Sequence, residues 1–72
     1  MTISYKKLWK LLIDRDMKKK DLAALAGISQ SSITKMGKNE NVNTDVLVRI
    51  CRALNCDIGD IAEIVLQENN AE

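Results

Sequence analysis

The stretch from Lys18 to Asn39, KKKDLAALAGISQSSITKMGKN, constrains the fold more than any other part of the chain. Leu22, Leu25 and Ala26 recur at three- and four-residue spacing, the apolar stripe of a helix. Gly27 follows at once, and glycine ends helices well because it takes the left-handed conformation without steric cost. Two residues on, Ser29 can cap a second helix that starts at Gln30, its hydroxyl accepting one of the N–H groups a helix start leaves unpaired. Ile28 before that cap and Ile33 four residues after it have the spacing of a hydrophobic staple. One helix is thus stopped and the next started almost without a linker, which fixes a sharp angle between them.

Two short helices joined in this way follow the plan of a helix-turn-helix, here about residues 18–38. The second helix of such a unit can enter the major groove of DNA. In that helix Ile33 and Met36 are expected to face inward, leaving Gln30, Ser31, Ser32, Thr34 and Lys35 outward or flanking. Serine and threonine are each roughly half a kcal/mol poorer than alanine in a helix, so this face was not composed for helix stability alone. Glutamine can pair bidentately with adenine, and a serine hydroxyl can donate to or accept from several bases. The competing reading is a face that merely tolerates water.

The charge distribution is more telling than the net charge, although on charge alone the two readings weigh about evenly. The formal charge is +1, but residues 1–38 hold nine Lys/Arg against three Asp/Glu and residues 39–72 hold two against seven, giving +6 and −5. A domain so divided can turn a positive face to phosphates and an acidic one away. Lys18, Lys19 and Lys20 stand at the start of a helix, where the helix dipole mildly disfavours cations. A DNA phosphate at that helix start would reverse the sign, drawn by both the free amides and the lysines. Charge runs are also common as plain solvated faces.

The remainder of the chain completes a small helical bundle. Residues 1–4 read as an extended lead-in. Tyr5 to about Asp16 read as a first helix with Tyr5, Leu8, Trp9 and Leu12 on one stripe. Leu11 and Ile13 flank that stripe, so this helix is expected to be largely buried, with Trp9 in the core rather than stacked on a base. Gly37 to Asn43 form a polar loop in which Val42 plugs the core. Asn43 is placed to cap a fourth helix, residues 44–54, whose buried face carries Val46, Leu47, Ile50, Cys51 and Leu54. A fifth helix is expected after Asp57, with Asp60 favouring its dipole and Ile58, Ile61, Ala62 and Val65 facing inward. Ile64 and Leu66 lie off that stripe. Residues 67–72 read as a frayed tail. The expected fold is all-α, one compact five-helix domain spanning residues 1–72.

Several classes of function are disfavoured. No apolar run approaches the roughly 18 residues of a membrane span, and no secretion signal is evident, which points to the cytoplasm. The chain has two cysteines and no histidine, too few ligands for a four-ligand zinc site, and no cofactor is implied. Cys51 and Cys56 are expected to be buried thiols. The Asp57/Asp60 pair is explained by helix capping more simply than by metal or acid–base chemistry. No glycine-rich phosphate loop or nucleophile–base pair is present, so an enzyme is not expected.

At the level of motif, LxxLAG-ISQSSI over residues 22–33 followed by NVNTDVLVRICRALNCDIGDI over 41–61 resembles the phage-repressor (XRE, Cro-like) helix-turn-helix family, and most of all its small single-domain members. The resemblance runs from about Tyr5 to Ile64. It implies a five-helix domain that binds operator DNA and regulates transcription. It implies that Lys19 lies near the DNA backbone and that Gln30, Ser31 and Ser32 open the recognition helix against base edges, with Lys35 one turn further. Lys38, Asn39 and Asn41 match the following loop, which touches phosphates and some bases. Lys18 replaces the usual threonine cap, Gly37 stands where a longer polar side chain is common, and Asn39 stands where glycine is common.

The expected function is therefore a sequence-specific, double-stranded-DNA-binding regulator, a repressor, with a protein-binding adaptor or antitoxin-like module on the same fold as the alternative. No small-molecule effector is evident. A weak homodimer through the fifth helix is expected, because Ile61, Ile64 and Leu66 offer a self-complementary apolar patch and one helix-turn-helix reads only a half-site.

Overall fold

The two ends of the described chain meet. In the computed structural model, which describes residues 2–66, Thr2–Ser4 (β1) pairs antiparallel with Glu63–Val65 (β2), setting Thr2 opposite Val65, Ile3 opposite Ile64 and Ser4 opposite Glu63. Between the strands lie four α-helices: Lys6–Asp14 (α1), Lys19–Ala26 (α2), Gln30–Gly37 (α3) and Thr44–Leu54 (α4). A single turn of 3-10 helix, Ile58–Asp60, precedes β2. The expected tail at 67–72 lies outside the described residues.

The fifth helix is the main correction to the sequence reading. Asp57 and Asp60 do cap, but they cap one turn only. The Asp57 carboxylate accepts the Ile58 N–H at 2.7 Å, and the Asp60 carboxylate accepts the Asp57 N–H at 3.0 Å. Gly59 and Asp60 are poor helix formers, and the β-branched residues Ile61, Ile64 and Val65 suit a strand better. The extended lead-in supplies the partner, so residues 63–65 gain a ladder that a fifth helix would not provide. Of the expected inward stripe, Ile61 and Ala62 are buried, Val65 is half-buried and Ile58 is exposed. The fold is thus mostly helical with a two-stranded clasp, rather than all-α with five helices.

The core is built from one face of each helix: Tyr5, Leu8 and Leu12 at and along α1, Leu22, Ala23 and Ala26 on α2, Ile33 and Met36 on α3, and Ile50 and Leu54 on α4, closed by Ile61 and Ala62. Two expectations fail in detail. Leu25 is 58 % exposed and Ala23 takes its place inward. Ile13 is 75 % exposed, so α1 buries a narrower arc than its composition suggests, and Trp9 and Leu11 are only half-buried against the core.

Tyr5 ties the loop after α3 to the start of α1. It is almost wholly buried, and its hydroxyl donates to the Glu40 carbonyl at 3.3 Å while its backbone N–H donates to the Asn39 side-chain oxygen at 3.4 Å. A buried tyrosine hydroxyl needs such a partner.

Candidate nucleic-acid interface

The α2–α3 junction forms as its local chemistry requires. Gly27 sits at φ 69°, ψ 39°, and its N–H and that of Ile28 both reach the Ala23 carbonyl, at 3.0 and 3.1 Å. This left-handed residue turns the chain out of α2 while the Ala23 carbonyl accepts both N–H groups of the turn. The Gly27 carbonyl is itself taken by the Arg49 guanidinium of α4 at 3.3 Å, so α4 braces the turn. Ser29 is extended, and its hydroxyl accepts the Ser32 N–H at 3.2 Å, the N-cap bond of α3.

Lys18, the cap position of α2, has no side-chain acceptor. Its backbone N–H instead donates to the Asp21 carboxylate at 3.0 Å, one half of a capping box. Asp21 therefore supplies a capping contact where the Lys18 side chain makes none, and offsets part of the lysine charge.

The expected base-reading residues fall into two groups. Gln30 is exposed at the first position of α3, and among the described residues its side chain makes no hydrogen bond. The others are partly engaged within the protein. Ser31 and Ser32 hydroxyls lie 3.0 and 3.2 Å from the Ser29 hydroxyl. The Thr34 hydroxyl donates back to the Gln30 carbonyl at 3.0 Å, along its own helix. Gln30 is thus the least committed polar side chain at the start of α3.

A cleft of about 210 Å³ beside α3 is lined by Ser32, Lys35, Asn41, Val42, Asn43 and Val46. Ser32, Lys35 and Asn41 are separated in sequence but share this cleft. Asn43 joins them and was missed. Its cap-forming position drew attention to α4, yet it makes no side-chain cap bond, leaving the amide beside Lys35 and Asn41.

The lysines are also not equivalent. Lys18, Lys20, Lys35 and Lys38 are exposed and form no ion pair among the described residues. Lys19 is exposed too, but its ammonium lies over the Trp9 ring, 4.5 Å from the centroid. The same Nζ comes within 3.9 Å of where a Cβ on Gly37 would stand, bringing the start of α2 next to the end of α3. Asn39 is exposed, its side-chain oxygen accepts from the Tyr5 N–H, and it adopts φ 58°. Asparagine tolerates that left-handed conformation better than most other non-glycine residues.

Four helices with a braced, glycine-turned α2–α3 pair and an exposed α3 define a helix-turn-helix DNA-binding fold. The Cro/C1-type helix-turn-helix DNA-binding domain matches residues 7–67, and the chain belongs to that family. The crystal structure of the transcriptional regulator VanUg, form II, is similar at 57 % sequence identity and a TM-score of 0.87, covering 92 % of this chain and 88 % of that one. No functionally curated protein matches. Among the described residues no helix is long and apolar enough to cross a membrane.

Proposed function

We propose that this chain is a sequence-specific transcriptional regulator that lays α3 in the major groove of its operator and represses by occupying it. The observation that carries the reading is the state of Gln30: exposed, unbonded within the protein and mounted on the first turn of a helix whose start is fixed by Gly27 and Ser29. A side chain in that setting can pair bidentately with a base without first breaking an internal bond. Lys18, Lys20, Lys35 and Lys38 supply phosphate contacts, with Lys19 aimed by Trp9. Asn41 and Asn43 work beside Lys35 at the cleft, and Ser31 and Ser32 contribute where their shared hydrogen bonds allow. The likeness to a solved transcriptional regulator supports the regulatory role.

Specific binding in this reading uses two copies on half-sites about one DNA turn apart, since a single α3 reads only a few base pairs. Selection of bound sequences from random DNA, followed by titration at two salt concentrations, tests the whole reading. A two-fold site and a steep loss of affinity with salt are expected. Recovery of no preferred sequence, or salt-independent binding, would leave the protein-adaptor alternative in its place.

A further inference from the structure

The two cysteines form a pair that the DNA reading does not use. Cys51 lies in the last turn of α4 and Cys56 lies just beyond its end. Asn55 between them is left-handed, at φ 54° and ψ 54°, and the Cys56 N–H donates to the Cys51 carbonyl at 3.0 Å. This is the six-to-one bond of a Schellman helix end, which also brings the two side chains at its ends into contact. Such a bond holds the two Cα atoms at a spacing that a disulfide bridges, roughly 4.4–6.8 Å. In most helix ends the contact is between two ordinary apolar side chains; here it is between two thiols.

Both thiols are reduced, half-buried and open onto one apolar groove of about 490 Å³, lined also by Leu47, Val48 and Ile58. The groove gives a small reagent access to both sulfurs. Nothing in the fold needs two cysteines there, since leucine or alanine would make the same helix-end contact.

We propose that Cys51 and Cys56 are a modification site, a dithiol that low-molecular-weight disulfides such as glutathione disulfide convert to an intramolecular disulfide. Burial raises the pKa of the Cys51 thiol, and the Cys56 thiol and the Asp57 and Asp60 carboxylates push it the same way. The Cys51 thiolate is thereby disfavoured, and the first attack is assigned to Cys56. The Cys56 thiolate attacks one sulfur of the reagent and expels the first thiolate. Cys51 then releases its proton to solvent and attacks the Cys56 sulfur of the mixed disulfide, expelling the second. The dithiol loses two electrons and two protons, and the reagent leaves as two thiols. The bridge joins the end of α4 to the segment leading into β2, outside the α2–α3 pair, and this inference does not rest on the DNA reading.

The test is intact-mass spectrometry of the full, reduced chain after equilibration in glutathione buffers of increasing oxidised fraction and acid quenching. The expected product is a single monomeric species lighter by two hydrogens, whose share follows the buffer ratio and which dithiothreitol reverses. The C51S and C56S variants, each left with one thiol, should instead stop at a one-glutathione adduct. A persistent glutathione adduct on the parent chain would overturn the proposal. So would linkage between two chains, or unreacted thiols in fully oxidised buffer.

Discussion

Lys19 sits with its ammonium 4.5 Å from the centre of the Trp9 ring, and the contact joins the start of α2 to α1. A cation over a tryptophan face is worth about 0.5–1 kcal/mol at an exposed site, enough to bias a flexible side chain but too little to occupy its donors. Trp9 thus aims Lys19 without neutralising it.

Separating charge from aim gives the first prediction. Lys19→Ala and Lys38→Ala should each weaken binding to all DNA sequences and lower the salt slope by about 1. Trp9→Leu should weaken binding less and leave the slope unchanged, because it removes no phosphate contact. Titrations over a range of salt concentrations measure both quantities. A wild-type slope in Lys19→Ala would make Lys19 purely a strap between helices.

Gln30 carries the specificity prediction. Gln30→Ala should cost roughly 1–3 kcal/mol against the preferred base at one operator position and almost nothing on random DNA. The thermal midpoint should not move, since the side chain makes no internal bond among the described residues. An unchanged ratio of operator to random binding would remove Gln30 from base reading.

Asn39 tests the loop. Its φ of 58° penalises alanine by roughly 1–2 kcal/mol, a cost glycine escapes, while both changes lose the bond to the Tyr5 N–H. Asn39→Ala should therefore be the less stable of the two in urea unfolding. Equal midpoints for the two variants would mean that the loop shifts out of the left-handed conformation at no cost.

Tyr5 makes stability fall at high pH. Burial raises its pKa above the ordinary 10.0, so the folded state favours the neutral phenol. That contribution is complete below the unfolded-state pKa and is lost as pH rises from there through the folded value. Tyr5→Phe should lose about 0.5–1.5 kcal/mol at neutral pH with the bond to the Glu40 carbonyl, yet show a shallower decline above about pH 10. Chemical denaturation at a series of pH values separates the two effects; parallel curves would assign the alkaline loss elsewhere.

What could be read from the sequence is what local chemistry decides. Gly27, Ser29 and the bounds of α3 follow from residues within one turn of each other, and α4 follows from an eleven-residue amphipathic pattern. The clasp was illegible because β1 and β2 come from opposite ends of the described chain, and Ile58, Ile61, Ala62 and Val65 fit a helical stripe when β1 is left out. In α2 the eight residues are too few to define a stripe, so Leu25 and Ala23 exchange places once α3 and α4 are packed against it. At the candidate site, exposure was legible but engagement was not: the Thr34 back-bond and the Lys19–Trp9 contact depend on rotamers. Asn43 was hidden by a capping role that its backbone fills and its side chain does not.

Assembly supplies the last prediction. Ile64 and Leu66, expected on a fifth helix, instead stand on and beside β2: Ile64 is 60 % exposed and Leu66 63 %. Among the described residues β2 is paired on one side only, by β1, and these side chains are exposed beside it. Ile64 pairs with Ile3 across the clasp and contributes little to the interior, so Ile64→Glu should leave the monomer folded. If two copies meet along this edge on adjacent half-sites, the substitution should abolish cooperative operator binding and leave half-site affinity as it was, because tethering on DNA raises the effective concentration of a weak contact. Sedimentation of the free protein and of the operator complex reads the stoichiometry directly. One copy bound at saturation to a site without two-fold symmetry would exclude the dimer. Undiminished cooperativity in Ile64→Glu would move the contact to another face.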